Sequence, residues 1–177
     1  FKDGSSKILM DAPPNEDLKT DAFVRISEQL EEAGLNVPKI FSSDLPTGLL
    51  LLDDLGSETA AEFLSRSPDA ELDVYQSALG AIFAVENVKV SALSTLNEKI
   101  AGDMVEISAI HYAQRPDLAL PINSLMRDYF QGYCAPKLKL ALRDFHLENV
   151  IWKEDAHNDG KKVGLLDYQD AFMAPQG

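Results

Sequence analysis

Only one cysteine, Cys134, occurs in the whole chain. No intrachain disulfide can therefore form, and nothing points to an oxidising compartment. Cys134 is no candidate nucleophile either, because Gly132-Tyr133 before it and Ala135-Pro136 after it supply no base. No apolar run approaches the ~18 residues of a membrane-spanning helix. The start, Phe1-Lys2-Asp3-Gly4, lacks the basic-then-apolar pattern of a secretory signal. These absences make the cytoplasm the expected compartment. Histidine is scarce: neither His111 nor His157 is spaced as a metal ligand from another histidine. Positive charge is also in deficit, with 16 Lys and Arg against 29 Asp and Glu and a net charge of −13. Such a surface repels nucleic acid phosphates and anionic bilayers, so neither is an expected partner, while a cationic or neutral small molecule is tolerated.

What is present is an ordinary globular mixture, 45% hydrophobic and 25% charged over 177 residues. That length fits one domain or two small lobes with a normal core. Ser6 to Met10 reads as a strand, broken by Ala12-Pro13-Pro14-Asn15. Helical spacing follows at Leu18, Ala22, Ile26, Leu30 and Ala33, widened by Phe23 and stopped at Gly34. Val37 to Ser42 is a strand entered through Pro38, Asp44 to Gly48 a hairpin turn, and Leu49 to Leu52 an unbroken apolar strand covered on both faces. Thr59 and Glu62 form a capping box. Ser67-Pro68 opens a longer helix with Leu72, Tyr75, Leu79 and Ile82 on one stripe. Helical pieces are expected from Ser94 to about Ile110 and from Asn123 to Tyr133. Leu138 to Leu142, Val150 to Trp152 and Val163 to Leu166 read as strands, the last two joined by a hairpin turn at Asn158-Asp159-Gly160.

Chemistry concentrates at two strand ends. Leu138 to Leu142 feeds Arg143-Asp144-Phe145-His146-Leu147-Glu148-Asn149, and Leu165-Leu166 delivers Asp167-Tyr168-Gln169-Asp170. A carboxylate after a strand, such as Asp144, can orient a hydroxyl and accept its proton as it attacks a terminal phosphate. A neutral amide oxygen on Asn149 and a second carboxylate on Asp167 are hard donors suited to magnesium. Asn149 stands directly before the apolar triplet Val150-Ile151-Trp152, where a random surface asparagine is unexpected. The combination is far more specific than its parts. It points to phosphoryl transfer from a magnesium nucleotide.

These segments resemble the catalytic loop and metal-binding aspartate shared by protein kinases and small-molecule kinases. Phe145-His146 after the aspartate is similar to the aminoglycoside phosphotransferase and choline kinase group. Within it, Ile8 to Pro14, Leu49 to Gly56, Arg143 to His146 and Leu166 to Ala171 look most like bacterial kinases for N-acetylmuramate and N-acetylglucosamine. The resemblance implies an α/β (α+β) fold with a small β-rich lobe over residues 1–52 and a mostly helical lobe over residues 53–177. It implies ATP and magnesium as cofactors, and the hydroxyl of a sugar, amino sugar or aminoglycoside as acceptor. Asp144 would be the catalytic base, Asn149 and Asp167 the metal ligands, and the backbone at Leu51, Leu52 and Asp53 the hinge pairing with adenine. His146 would support the loop or lie near the phosphates, Arg143 would pair with a carboxylate, and Asp170 would flank the metal site.

The chain also departs from that pattern. Leu142 stands where many relatives have histidine, and the Asn149-to-Asp167 interval is longer than usual. Ile8-Leu9-Met10-Asp11 lacks the lysine that pairs with phosphate, since Lys7 comes too early, and no glycine-rich nucleotide loop is present. The chain looks short at both ends for this group, so an intact protein heavier than 19.5 kDa is expected. Two other readings stay open at this stage. One is a nucleotide-binding pseudokinase without catalysis. The other is a metal-dependent hydrolase using Asp144, His146 and Asp167 with Asp170.

Overall fold

The computed structural model describes residues 6–13, 19–132, 137–154, 156 and 159–175, with 159 and 160 in backbone only. Phe1 to Gly4, the break at Pro14-Asn15, Leu18, Tyr133, Cys134, His157 and Asn158 lie outside them. Strand β1 (Lys7–Asp11) pairs antiparallel with β3 (Leu49–Asp53), whose other edge carries β2 (Ile40–Asp44), in the order β1-β3-β2. The leucine run takes the centre of the sheet but is covered on one face only, not on both as expected: Leu50 and Leu52 are buried, Leu51 is half-buried and Leu49 is exposed. β2 begins later than its apolar pattern suggests and bulges between Ile40 and Ser42.

Helix α1 (Thr20–Glu32) buries Phe23, Ile26, Ser27 and Leu30, the face its spacing predicts. It ends as expected at Gly34, φ 83. Gly48, φ 77, closes the β2–β3 turn, where its N–H donates to the Asp44 carbonyl at 2.8 Å and its own carbonyl accepts from Ala12 N–H at 2.9 Å. A Cβ at position 48 would stand 2.0 Å from the Ala12 carbonyl oxygen, so only glycine fits.

Helix α2 (Ala60–Arg66) carries both halves of the Thr59–Glu62 capping box. Pro68 opens a short 3-10 turn that leads into α3 (Glu71–Val85). The expected apolar stripe of α3 is not its buried face. Leu72, Tyr75 and Leu79 are exposed, while Val74, Ala78 and Val85 are buried. This small-residue side lets the helix approach the short helical turn α6 (Asp159–Lys162) and strand β6 (Val163–Leu165). β6 pairs antiparallel with β5 (Val150–Trp152), and all their residues are buried. Trp152 packs on Phe63, ring centroids 5.3 Å apart. Asp159 and Gly160 of the expected hairpin turn lie in α6 instead. The ladder ends at the Trp152–Val163 pair, leaving residues 153–162 to close the connection, more than such a turn can span.

The chain divides into two compact units, residues 1–92 with 140–171 and residues 93–139 with 172–177. The boundary expected between residues 52 and 53 falls inside the first. In the second, α4 (Glu98–Ile107) is capped by the Asn97 side chain, which accepts from Ile100 N–H at 2.9 Å, and runs on into a π-helical turn, Ser108–Tyr112. Helix α5 (Ala119–Gln131) starts ahead of its expected beginning at Asn123 because Pro121 sits in its first turn, where a missing N–H does no harm. It packs on α4, and buried Asn123 donates to Glu106 at 2.7 Å. Strand β4 is Leu138–Ala141, and β7 (Phe172–Pro175) had no clear signal in the sequence. Among the described residues no helix is long and apolar enough to cross a membrane.

Gly48→Ala should lower stability by about 2 kcal/mol or more, through strain and the clash with Ala12. Gly34→Ala, whose Cβ would meet nothing within 4 Å, should lose only about 1 kcal/mol. Urea midpoints of the two variants check the ordering.

Candidate active site

The site is assembled on buried strands that end at its rim. Leu140 and Leu142 are buried and anchor the approach to Arg143-Asp144. Arg143 then takes φ 72, a left-handed turn that reverses the chain, with Asp144 N–H donating to the Leu142 carbonyl at 3.0 Å. A single 3-10 turn, Leu147–Asn149, returns the chain to β5. Leu166 N–H donates to the Asn149 carbonyl at 3.0 Å, carrying the β5–β6 pairing one step beyond the strands. That step sets Asn149 beside Asp167, which adopts φ 57.

The Asn149 amide is the node of this arrangement. Its Nδ2 donates to the Asp144 main-chain carbonyl at 3.0 Å and to Asp167 Oδ2 at 3.1 Å, and lies 3.3 Å from His146 Nε2. Asp167 Oδ1 accepts from Gln169 Nε2 at 2.6 Å. Among the described residues no hydrogen bond is directed to Asn149 Oδ1. The Asp144 carboxylate is half-exposed and faces Arg143 Nε at 4.0 Å instead of joining the amide. The structure therefore brings Asn149 and Asp167 together by their side chains and ties in Asp144 by its backbone. Asp170 is held elsewhere, by Lys19 and by Arg143 at 3.7 Å. His146 Nδ1 lies 3.9 Å from Glu148. Among the described residues no three His, Cys, Asp or Glu side chains form a metal cage. The four groups proposed for a hydrolase thus have different partners, and that reading is not favoured.

Sequence reasoning missed what holds this segment in place. Lys19, Phe23 and Ser27 stand one helical turn apart along α1 and meet Asp170, Tyr168 and again Tyr168. The Phe23 and Tyr168 rings are stacked, 5.1 Å apart and 6° from parallel. Ser27 Oγ donates to the Phe23 carbonyl at 2.7 Å, so its remaining contact, 2.7 Å to the Tyr168 hydroxyl, accepts that proton. Tyr168 is fully buried, and burial pushes its phenol above the ordinary tyrosine range. The i, i+4, i+8 spacing was visible in the sequence, but its partners were not.

A cavity of about 410 Å³ adjoins Asp167. Ile8, Met10, Leu52, Ile151 and Leu166 make it a largely apolar slot with Asp167 and Gln169 at one edge. Of the three expected hinge residues, Leu52 and Asp53 line the slot. The backbone at Leu51 and Leu52 is committed to β1 on one side and β2 on the other, and Asp53 N–H donates to the Lys39 carbonyl at 2.8 Å. Among the described residues, the first backbone beyond β3 without a main-chain hydrogen bond is at Asp54 and Leu55, which also line the slot. The side chain of Ser6 and the N–H of Gly56 hold the Asp54 carboxyl below its ordinary value. Another cavity, of about 370 Å³ and bordered by Gly34, Gln76, Ser77 and Gly80, contains none of the expected site residues.

Tyr168→Phe should destabilise the protein by about 1 kcal/mol at neutral pH, by removing the hydroxyl bonded to Ser27. Burial in the folded state raises the Tyr168 pKa above the ordinary tyrosine value of 10.0, so this group's contribution is complete below pH 10 and is lost as pH rises beyond it. The stability gap between wild type and Tyr168→Phe, followed by denaturant midpoints, should narrow above that pH.

Comparison with known proteins bears on the family and the fold. The N-acetylmuramate/N-acetylglucosamine kinase of Pseudomonas aeruginosa is 29% identical over 180 residues, covering 96% of this chain and 50% of that protein. The chain spans about half the length of the curated relatives it matches. The gentamicin complex of APH(2")-IIa superposes with a TM-score of 0.63 at 12% identity over 94% of this chain and 60% of that one. ADP-bound aminoglycoside phosphotransferase APH(2'')-Ib does so with a TM-score of 0.62 at 14% identity, over the same shares. The α/β, kinase-like fold expected from the motifs is therefore present. The phosphotransferase enzyme family model matches residues 2–176, and the chain belongs to that family.

Proposed function

We propose that this chain carries the nucleotide and metal machinery of an ATP-dependent phosphotransferase that phosphorylates a hydroxyl of a sugar or amino sugar. The observation that carries the reading is the Asn149 amide, bonded at once to the Asp144 main chain and the Asp167 carboxylate. Both Asn149 N–H bonds are spent on protein, which leaves its oxygen as a ligand beside a carboxylate. A neutral oxygen and an anionic one suit magnesium, which takes few protein ligands and keeps water and phosphate oxygens. Bound there, the ion would offset charge on the transferring phosphoryl group.

The chain's own residues do the rest. The apolar slot receives the adenine ring, and the backbone at Asp54 and Leu55 supplies its edge partners. Asp144, half-exposed and held in place by Arg143 and by the amide on its carbonyl, orients the acceptor hydroxyl and takes its proton. Gln169 fixes the rotamer of Asp167.

For the acceptor, an amino sugar is favoured over an aminoglycoside. The relative named for N-acetylmuramate and N-acetylglucosamine matches at 29% identity, while the aminoglycoside enzymes match at 12% and 14% and share the fold.

The intact protein should convert ATP to ADP in the presence of N-acetylmuramate or N-acetylglucosamine and magnesium, followed by coupled ADP detection; no turnover with any sugar or aminoglycoside would refute the reading. Asp144→Asn should lower kcat by roughly 10²- to 10⁴-fold with little change in KM for ATP. Asn149→Ala and Asp167→Ala should each abolish the magnesium-dependent part of the rise in Tm produced by nucleotide.

A further inference from the structure

Helix α1 begins at a residue that the helix itself would not select. Ser, Thr, Asp or Asn suits an N-cap, glycine suits left-handed backbone, and an acidic group suits a helix N-terminus. Lys19 goes against all three preferences. It stands at the N-cap with φ 41, makes no side-chain capping bond, and places an ammonium group there. When local preferences are set aside together, the position of the side chain accounts for the residue.

That position is well defined. Lys19 Nζ donates to Asp170 Oδ1. Arg143 lies 3.7 Å from the same oxygen and 4.0 Å from the Asp144 carboxylate. Phe23, one turn along α1 with its N–H on the Lys19 carbonyl at 3.0 Å, lines the slot beside Asp167 and Gln169. Lys19 keeps 47% of its side chain exposed and Arg143 38%, so each can meet a further anion without leaving Asp170. Lys7, the cation on β1, is occupied by Asp53 at 2.7 Å and by the Phe41 ring.

We infer that Lys19, with Arg143 beside it, is the cation that grips the phosphates of the donor nucleotide, and that Asp170 holds both ready at the Asp167 end of the slot. The inference rests on the nucleotide-donor reading above and assigns the phosphate contact that Ile8 to Asp11 cannot make. A polyphosphate entering this site meets the carboxylates of Asp144, Asp167 and Asp170. Two cations among them offset that repulsion, Lys19 as a mobile point charge and Arg143 as a planar fork.

Calorimetric titration of the intact protein with ADP in magnesium buffer, and separately with adenosine, tests this. Lys19→Met should weaken ADP binding roughly tenfold to a hundredfold and leave adenosine binding within about twofold, whereas Lys19→Arg should keep most of the ADP affinity. Lys19→Gln serves as a second neutral variant if methionine disturbs the start of α1. ADP affinity unchanged in the neutral variants, or adenosine binding lost in parallel with it, would overturn the assignment of Lys19 alone. A wild-type protein that binds neither ligand would overturn the donor reading and this one together.

Discussion

Tyr168 is fully buried against α1, its ring flat against Phe23 and its hydroxyl spent on Ser27. Its two neighbours in sequence, Asp167 and Gln169, turn outward to the slot, and Asp170 follows onto Lys19. A short loop with no strand pairing of its own would otherwise sample many conformers. Burying one large aromatic side chain at its centre removes most of that freedom, and the polar residues on either side inherit the order. The reach of Asn149 to Asp167, and with it the link to Asp144, depends on this anchor.

Of the five non-glycine residues with positive φ among the described residues, Lys19, Arg143 and Asp167 lie near this segment and Ala92 and Gln114 lie elsewhere, at about 1 kcal/mol or more each. Each of the first three is over-determined by its surroundings. Lys19 is drawn to Asp170, Arg143 lies between two carboxylates, and Asp167 is bonded from both sides by Asn149 and Gln169. Strain of this kind persists where a side chain must point in a direction that relaxed backbone would not allow. The buried β5–β6 pair and the central leucine strand β3 supply the rigidity to sustain it.

A chain of net charge −13 is a poor electrostatic host for the polyphosphate donor proposed above. The local charge near Asp170 differs from that average. Lys19 and Arg143 converge on one carboxylate beside the slot, and neutral donors on Asn149 and Gln169 flank Asp167. The bulk acidity then bears on solubility and on which partners are repelled, and the few cations near Asp170 set the field that a ligand meets.

The strand and helix periods were readable because burial of an apolar face leaves a repeat in the chain. α1, β3 and the capping box of α2 followed from it directly, and strand-end spacing singled out Asp144, Asn149 and Asp167, of which only Asn149 and Asp167 meet by their side chains. The pattern was misleading where small residues did the packing: α3 buries Val74 and Ala78 and leaves Leu72 exposed, because close approach to a strand rewards small side chains more than long ones. Contacts made across great separation leave no periodic trace. Lys19 on Asp170 and Ser27 on Tyr168, 151 and 141 residues apart, were decided only by tertiary structure. So was the commitment of the Leu51 and Leu52 backbone to strands on both sides, since a strand's place in its sheet depends on which partners reach its edges. By itself the sequence determined which polar groups stand at the strand ends. Folding decided which of them meet.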